Sequence, residues 1–450
     1  MKKNKAGEVD ILTLEVGSTI TKANGFVIED NKLKHVAQGF APTSVGEGNV
    51  GIGLLAAIEE LEKTSKYCTD QAEVFANSSA AGGLRVTVHG LTYNMTARAA
   101  KEASLGAGAI IKMITAGEIS EYDLEEIEEI TPNMVILAGG VEFGARDVII
   151  TNAIKLSSAD LGVPVVYAGN SALKRGIEKV FSKSGTEFIV APNVFPDVDV
   201  LNVEPLRKIM QDLFSKHIIH APGMERLESI TSKPIIPTPA AVLKATEMFY
   251  EVAGDVVVVD VGGATTDVHS VTEGSLEYAE KLTAPEPFAK RTVEGDLGVF
   301  VNAGNILEQS DDWLKQRASD VKAMPETTSE KEMTRKLCAK AVEKGVKRHA
   351  AVISDLFTPS GKKQVVSGKD LSAVKWLIGT GGALTKVEGG REILKSMCTG
   401  VGKHLLPSKD TKILLDKNYL FSALGTVCTT HPELVKNTFK SWIEENGRLQ

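Results

Sequence analysis

DILTLEVGSTITKANGF (residues 10–26) and DVVVVDVGGATTDVHSV (residues 255–271) share one pattern. Each has a short apolar run, then an acidic residue, then glycine and hydroxyl residues. When the two are aligned without a gap, Asp260 falls on Glu15, which lies 245 residues earlier, and Gly262 falls on Gly17. A short, mostly β-branched apolar run is typical of a central strand, and the residues after it predict a tight hairpin.

A second pair of segments has nearly the same spacing. MVILAGG (134–140) and WLIGTGG (376–382) each join an apolar run to two glycines, and they lie 242 residues apart. Because two separate pairs share nearly one offset, the sequence predicts a duplicated unit, that is, two similar lobes that face each other. The segment 134–140 is then the structural counterpart of 376–382.

Strand-like and helix-like segments alternate along the chain, which predicts the α/β class with largely parallel sheets. The cluster Pro234, Pro237 and Pro239 indicates a domain boundary. We therefore expect a first lobe at 1–238 and a second at 239–450, with a C-terminal helix that packs back on the first. The predicted strands are 11–16, 134–138, 164–168, 256–261 and 376–379, and the predicted helices are 53–65, 96–116, 204–216 and 331–355.

Composition narrows the class of protein. The chain has 450 residues and a formal net charge of −7, which argues against a nucleic-acid partner. Its four cysteines are widely spaced, which is typical of a reducing compartment. No run approaches the roughly 20 apolar residues of a membrane helix. We expect a cytoplasmic protein with no membrane partner.

The residues of the two hairpins suit phosphate. Glycines let backbone N–H groups approach an anion, and the hydroxyl residues add donors. An acid beside such a nest requires a cation, so Glu15 and Asp260 predict Mg²⁺, held directly or through water. Two hairpins could clamp the triphosphate of ATP, and GTGGAL (379–384) offers a backbone surface for adenine and ribose. The predicted nucleotide contacts are Gly17, Ser18, Thr19, Thr21, Lys22, Gly262, Gly263, Ala264, Thr265, Thr266, Gly379, Gly381, Gly382 and Ala383.

The segment EGDLG (294–298) follows the second hairpin by about thirty residues. Glu294 or Asp296 could orient an attacking water or take part in lobe closure, and Lys290 or Arg291 could meet phosphate. A solvent-exposed turn capped by Asp296 explains the same residues, and the sequence leaves both interpretations open.

The order of hairpin, hairpin and Gly-Gly motif resembles the actin–Hsp70–sugar kinase superfamily, whose lobes are ribonuclease H-like. Longer stretches resemble the MutL (glutamate mutase L) family of ATPases within it. These stretches are NSSAAGGLR (77–85), SLGAGA (104–109), YAGN (167–170), DVGGATTDV (260–268), KRTVEGDLG (290–298), KRHA (347–350) and GTGGAL (379–384). The resemblance implies two actin-like lobes with a nucleotide cleft between them. It also implies a reactivating chaperone that uses ATP to release damaged cobalamin from an adenosylcobalamin-dependent mutase.

The chain departs from that family pattern at two places. Glu15 stands where an aspartate is usual, and ILAGGVEFG (136–144) lacks the Thr-Asp-Gly-Gly expected after the glycines. The extra methylene of Glu15 adds roughly 1.5 Å of reach. We expect nucleotide binding to persist and turnover to be slow.

Two other functions fit the same lobes. A small-molecule kinase would need a substrate pocket and a general-base aspartate near the γ-phosphate, and an actin-like filament protein would polymerise with ATP. The sequence leaves the oligomeric state open, with a homodimer as one option.

Overall fold

The computed structural model describes residues 7–44, 48–79, 84–159, 161–218, 224, 227, 230, 231, 233–359 and 361–448. The strands are β1 Gly7–Glu8, β2 Ile11–Val16, β3 Ile20–Glu29, β4 Lys32–Pro42, β5 Tyr67–Cys68, β6 Glu73–Ser78, β7 Leu84–Gly90, β8 Ala109–Ala116, β9 Met134–Leu137, β10 Val165–Tyr167, β11 Phe188–Val190, β12 Ile236–Pro237, β13 Val256–Val261, β14 Thr266–Val271, β15 Ala289–Glu294, β16 Val352–Thr358, β17 Gly361–Ser367, β18 Trp376–Thr380 and β19 Lys412–Leu415.

The helices of the described residues follow the strands in the order expected of an α/β protein. They are α1 Val50–Ser65, α2 Arg98–Gly106, α3 Glu121–Ile130, α4 Asp147–Ser158, α5 Lys174–Phe181, α6 Val203–Ile218, α7 Thr238–Ala253, α8 Leu276–Ala279, α9 Ala303–Glu308, α10 Asp312–Gln316, α11 Thr328–His349, α12 Gly382–Thr385, α13 Gly390–Ser396, α14 Phe421–Val427 and α15 Pro432–Arg448. A π-helical turn, Tyr93–Ala97, leads into α2.

Two five-stranded sheets have the same topology. The first has the order β4-β3-β2-β6-β12 and the second has the order β15-β14-β13-β18-β19. In each sheet, three antiparallel strands are followed by two strands parallel to the central one. The central strands β2 and β13 are the two apolar runs that lie 245 residues apart. This arrangement confirms the predicted α/β class with two duplicated lobes.

The second predicted pair of repeats is wrong. Strand β9 (Met134–Leu137) belongs to a third sheet, so the topological counterpart of β18 is β6 (Glu73–Ser78). Strand β6 has the sequence EVFANS, and its polar residues hide the strand pattern. Glycines commonly follow an apolar strand where the chain turns, so the similar spacing of these two segments is a coincidence.

The third sheet is entirely parallel, with the order β11-β10-β9-β7-β8. Numbered along the chain within this sheet, its strands have the doubly wound order 2-1-3-4-5. The sequence predicted one helix over 96–116, whereas α2 ends at Gly106 and β8 begins at Ala109. Gly108, with φ +88°, turns the chain between them, and a side chain there would collide with Pro237.

One apolar core is shared by the first and second sheets. Phe26 and Phe75 of the first sheet lie in the same cluster as Trp376 of the second, together with Phe249 of α7 and Phe421 of α14. The C-terminal helix α15 contacts the first sheet, where the Thr438 hydroxyl accepts a hydrogen bond from Leu33 N (2.9 Å). The proline cluster lies where β12 passes into α7, and the predicted division of the chain at 238/239 stays a prediction. In the described part of the chain, we find no helix of the length and apolar character needed to span a bilayer.

Candidate functional site

The two hairpins have the same backbone turn. Gly17 N donates to Ile20 O (3.1 Å), and Gly262 N donates to Thr265 O (2.9 Å). In the first hairpin, Thr43 N bonds Thr19 O (3.0 Å). In the second, the backbone N–H groups of residues 299–301 bond the carbonyls of Gly262 and Gly263. The carbonyl side of each hairpin is therefore held by the protein behind it.

The donor side of each hairpin is open. Among the described residues, no acceptor bonds the backbone N–H groups of Ser18 and Thr19 in the first hairpin or of Gly263 and Ala264 in the second. Ser18 and Thr19 are exposed, and Gly263 and Ala264 are partly exposed. Successive N–H groups that converge without partners form a concavity suited to an anion.

The two threonines at the ends of the hairpins do not fit the predicted phosphate contacts. Thr21 is fully buried and shares a hydrogen bond with the Thr43 hydroxyl (3.0 Å). Thr266 is also fully buried and donates to Leu297 O (2.7 Å). Both hydroxyls are used to fix the hairpin. Thr265 is partly exposed and donates to the Asp267 carboxylate (3.1 Å).

Glu15 is neutralised within the protein. Its Oε1 lies 2.6 Å from Lys22 Nζ, and its Oε2 accepts a hydrogen bond from the Ser422 hydroxyl. Burial acts to lower the pKa of Lys22, but Glu15 and the nearby acid Asp260 outweigh it, so the pKa of this ammonium lies above its ordinary value. Lys22 Nζ also lies 4.8 Å from the ring centre of Tyr419.

Asp260 has the opposite character. It makes no hydrogen bond or ion pair within the described residues, although it faces Asp267 across the β13–β14 ladder. Burial, together with the nearby acids Asp267, Glu15 and Asp416, raises the pKa of Asp260 to about 7, although Lys22 acts to lower it. An unpaired carboxyl among other acids is a position where a bound cation would be favourable.

These contacts decide which residues fit Mg²⁺. Asp260 fits, because its carboxylate is free and its surroundings disfavour the bare negative charge. Glu15 does not fit the predicted role of metal ligand, because both of its oxygens already have partners. Among the described residues, the one group of three possible metal ligands is Glu62, Cys68 and Asp70, which includes neither hairpin acid.

The Gly-Gly motif closes over the second hairpin. Gly381 has φ +86°, and a Cβ on it would lie 2.3 Å from Val261 O and 2.8 Å from Asp260 Oδ1. Only glycine therefore lets this turn approach Asp260. Gly382 is exposed beside the Tyr419 hydroxyl, which keeps it available for a ligand.

Two other residues of the predicted adenosine surface lie in the core. Gly379 is buried, and a Cβ there would lie 2.8 Å from the Leu394 side chain. Ala383 is buried in the apolar cluster of the second sheet. The exposed part of this motif is therefore Gly381 and Gly382, and the role of the buried Gly379 and Ala383 as nucleotide contacts stays a prediction.

The acids of EGDLG pair with an arginine. Arg348 Nη1 lies 2.6 Å from Glu294 Oε2 and 2.7 Å from Asp296 Oδ1, and Arg348 Nη2 lies 2.9 Å from Asp296 Oδ2. Burial raises the pKa of Glu294, whereas the hydrogen bond from Arg348 lowers the pKa of Asp296. These contacts do not support the catalytic role predicted for Glu294 and Asp296, because each carboxylate is already held by Arg348.

Arg291 connects the second hairpin to α2. Its Nη2 lies 2.6 Å from Asp267 Oδ1, and its Nη1 donates to Leu105 O (3.0 Å) and Ala109 O (3.3 Å). Lys290 is buried and pairs with Glu286 (2.6 Å). Because both cations are buried and paired, neither is free to meet phosphate. Residues 80–83 of the SSAAGG segment lie outside the described residues.

Sequence reasoning missed Asp416, Tyr419 and Ser422, which lie beside Asp260, Lys22 and Glu15 respectively. Asp416 is buried and accepts hydrogen bonds from Leu420 N, Phe421 N and the Thr380 hydroxyl (2.9–3.0 Å). Tyr419 has φ +56°, which is uncommon for an aromatic residue. The sequence does contain a signal for Asp416, because this acid follows a short, mostly apolar strand, as Glu15 and Asp260 follow apolar runs.

A model of the MutL protein family matches residues 11–443. Protein MutL of Clostridium tetanomorphum is 35% identical over 459 aligned residues, which cover 96% of this chain and 98% of that protein. Two solved structures are more remote. A nucleotide-free acetone carboxylase has 14% identity and a TM-score of 0.33 over 65% of this chain and 48% of its own.

The second is xylulose kinase from Bifidobacterium adolescentis, with 11% identity and a TM-score of 0.30 over 95% of this chain and 93% of its own. Since both TM-scores lie below 0.5, these two structures add nothing to the assignment of a function.

Proposed function

This chain belongs to the MutL protein family, and we propose that it is an ATP-dependent reactivating chaperone for an adenosylcobalamin-dependent mutase. The client would be of the glutamate mutase or ornithine/lysine aminomutase type. The chaperone would use ATP binding and slow hydrolysis to release damaged cobalamin. The motifs shared with this family run through most of the chain and support the proposal.

One observation carries the nucleotide part of the proposal. Two hairpins with the same turn each present backbone N–H groups that have no partner among the described residues. Ser18 and Thr19 contribute exposed hydroxyls on the first hairpin. In this proposal, the two sets of donors hold the phosphates of ATP from opposite sides, and Gly381 and Gly382 contact the adenosine.

Asp260 would hold Mg²⁺, directly or through its waters. The metal would neutralise charge that develops on the phosphates during transfer. Lys22, on the side of the first hairpin, interacts electrostatically with Asp260, and Glu15 balances its charge. Glu15 fixes the position of Lys22 and leaves the metal to Asp260.

We propose slow turnover because the site lacks a free base. Around the hairpins, Asp267 is paired with Arg291, Asp416 receives three hydrogen bonds, and Glu15 has two partners. Of the four acids around the hairpins, Asp260 alone has no such partner among the described residues, and the metal would occupy it. A small-molecule kinase needs an additional aspartate base, so no observation favours that alternative. None favours a filament.

The proposed conformational change is a rotation of lobe 1–238 against lobe 239–450. Helices α7 and α14 lie between the two sheets and cross closely, since a Cβ on Gly425 would meet Ala241 O. Helix α14 also bonds the first sheet through Asn77 and Thr426 (2.9 Å). ATP that bridges both hairpins would favour the closed arrangement, and loss of the γ-phosphate would release it.

The experiment measures Mg²⁺-dependent ATP hydrolysis and mutase recovery in the same samples. Purified glutamate mutase and an ornithine or lysine aminomutase are inactivated with hydroxocobalamin and incubated with the protein, ATP and fresh adenosylcobalamin. Asp260→Ala is the test variant. Asp255→Ala is the matched control, because Asp255 immediately precedes the other end of β13.

The proposal predicts recovery of one mutase with the wild type and with Asp255→Ala, and no recovery with Asp260→Ala. Binding of ATP without recovery of either mutase would contradict the chaperone function. An absence of ATP binding would contradict the nucleotide site as well.

A further inference from the structure

The loops that follow the strands of the third sheet all leave from one end of the sheet, which we call its carboxyl edge. Its five strands are parallel, so their carboxyl ends lie together. The strand order reverses between β7 and β9. Strand β8 lies on one side of β7, whereas β9, β10 and β11 follow one another on its other side. In open sheets of this kind, ligands bind beyond the carboxyl ends of the strands, at such a reversal.

Large apolar side chains are exposed in the connections that leave this edge. Phe143 follows β9 and is 79% exposed. Tyr122 lies in the first turn of helix α3, which follows β8, and is 82% exposed. Tyr93 follows β7, and Val198 and Val200 follow β11, and all three are also exposed. We refer to Tyr93, Tyr122, Phe143, Val198 and Val200 as the carboxyl-edge surface.

Two hydrogen bonds connect the loops of this surface. Glu142 N donates to Pro196 O (2.9 Å), which joins the β9 loop to the β11 loop. Phe143 N donates to the side chain of the fully buried Asn170 (3.2 Å), which follows β10. The loops that carry Phe143 and Val198 are therefore neighbours in space and are held in place.

Phe143 is presented at an energetic cost. Its backbone has φ +61°, a conformation that is strained for a bulky residue. Because its side chain is 79% exposed, packing against the described residues does little to compensate for this strain. Strain at an exposed side chain points to a role in binding.

The exposure of these side chains favours a protein over a small molecule. A small-molecule site is concave and buries most of its ligand, whereas these rings and branched chains extend into solvent. Exposed apolar groups with polar neighbours are typical of protein interfaces. Acids lie directly beside them, because exposed Asp197 and Asp199 alternate with Val198 and Val200, and Glu121 precedes Tyr122. Exposed basic residues also lie at this end of the sheet, namely Arg146 at the end of the Phe143 loop, and Lys174 and Arg175 after β10.

The carboxyl-edge surface is also connected to the nucleotide site. The π-helical turn at Tyr93 continues into α2, whose last turn contains Leu105. Arg291 holds Leu105 O, and Asp267 holds both Arg291 and the Thr265 hydroxyl. One end of this helical segment therefore lies at the exposed surface. The other end is connected to the second hairpin through Leu105, Arg291, Asp267 and Thr265 in turn.

We propose that the carboxyl-edge surface is the docking site for the protein partner, and that this partner offers an apolar patch with lysines or arginines around it. The inference rests on the proposed function, in which the partner is the mutase. The acids of the surface would attract the basic rim, and the apolar side chains would be covered on binding.

The test measures equilibrium binding of the full-length protein to the mutases inactivated with hydroxocobalamin, by sedimentation and by fluorescence anisotropy. The first variant is Phe143→Asp combined with Val198→Asp. The second is Asp197→Lys combined with Asp199→Lys. Leu276→Asp is the matched control, because Leu276 is 94% exposed and lies away from the third sheet. Affinity for ATP is measured for every variant and should not change.

The inference predicts at least tenfold weaker binding for Phe143→Asp with Val198→Asp, the loss expected of an interface hot spot. It predicts weaker binding and a smaller dependence on salt for the lysine variant, and wild-type affinity for Leu276→Asp. Wild-type binding by both double variants would overturn the inference while leaving the proposed function intact. Self-association of the wild type that Phe143→Asp abolishes would overturn it in favour of a second copy of this chain. If the wild type binds neither mutase, the proposed function fails, and the inference fails with it.

Discussion

Lys22 Nζ lies 2.6 Å from Glu15 Oε1, and the two residues face each other across the ladder between β2 and β3. At the corresponding positions of the second sheet, Asp260 faces Asp267 across the ladder between β13 and β14. One hairpin therefore pairs an acid with a base, and the other opposes two acids. The backbones are alike, but the first hairpin neutralises its own charge and the second keeps a carboxyl available for a cation.

Glu15→Gln should destabilise the protein, because it leaves the Lys22 ammonium without its counter-charge. The pair is largely buried, so the loss should be about 2 kcal/mol, between the values typical of exposed and of fully buried pairs. Urea unfolding measures it. Glu29→Gln breaks the exposed pair with Lys34 (2.8 Å) and should leave stability nearly unchanged. Equal effects of the two substitutions would show that Glu15 is not a structural partner of Lys22.

Asp260 should make the affinity for Mg²⁺·ATP depend on pH. Because the pKa of Asp260 is raised to about 7, the carboxyl binds a proton below that pH, and the metal must displace it. Affinity should fall by up to about tenfold per pH unit between pH 7 and pH 5. Calorimetric titration from pH 5 to pH 8 measures this, and Asp260→Asn should bind weakly at every pH.

The same shift has a consequence for folding. A raised pKa means that the native state holds the proton more tightly than the unfolded state does, so the protein without ligand loses stability as pH rises from about 4 to 7. Asp260→Asn should remove this loss and be more stable than the wild type at pH 8. A variant that is less stable than the wild type at pH 8 would contradict an unpaired Asp260.

Gly381→Ala should disrupt the site. The added methyl would lie 2.3 Å from Val261 O, and φ +86° is strained for alanine, so the turn must move away from Asp260. We expect a loss of at least about 2 kcal/mol in stability and of most of the ATP affinity. Gly400→Ala is the control, because Gly400 has φ +79° with no atom within 4 Å of its added methyl. It should lose stability to strain alone, about 1 kcal/mol, and bind ATP normally.

Asp267→Asn should leave the buried Arg291 cation without its negatively charged partner. Removing one partner of a buried pair costs about 3–5 kcal/mol, whereas replacing both partners by apolar residues often restores stability. Asp267→Asn should therefore be strongly destabilised, and Asp267→Leu combined with Arg291→Met should recover much of the loss. Asp355→Asn, which breaks an exposed pair with Lys362 (2.9 Å), is the control. If Asp267→Asn is as stable as Asp355→Asn, Asp267 is not the buried counter-charge that Arg291 requires.

Much of the fold could be predicted from local patterns. Strands β2 and β13 have the predicted bounds. The 245-residue repeat located both central strands because the acid, glycine and hydroxyl residues recur at fixed positions. Strand β6 was missed because Asn77 and Ser78 are polar, although hydrogen bonds to Thr426 and other partners allow their burial.

The candidate site was only partly predictable, because the sequence does not say which way a side chain points. Thr21 and Thr19 look equivalent in the sequence, yet one hydroxyl is buried and the other is exposed. The sequence predicted Glu15 as a metal ligand, whereas in the structure Lys22 and Ser422 donate hydrogen bonds to its two carboxylate oxygens. Ser422 lies 407 residues away from Glu15, so no local pattern could indicate that contact.

The central claim is that the second hairpin binds ATP with Mg²⁺ at Asp260. The most direct measurement is calorimetric titration of ATP at pH 8, with and without Mg²⁺, into the wild type, Asp260→Asn and Asp255→Asn. We predict that Mg²⁺ strengthens binding to the wild type and to Asp255→Asn at least tenfold and has no effect on Asp260→Asn. Equal enhancement by Mg²⁺ in all three proteins would contradict the claim.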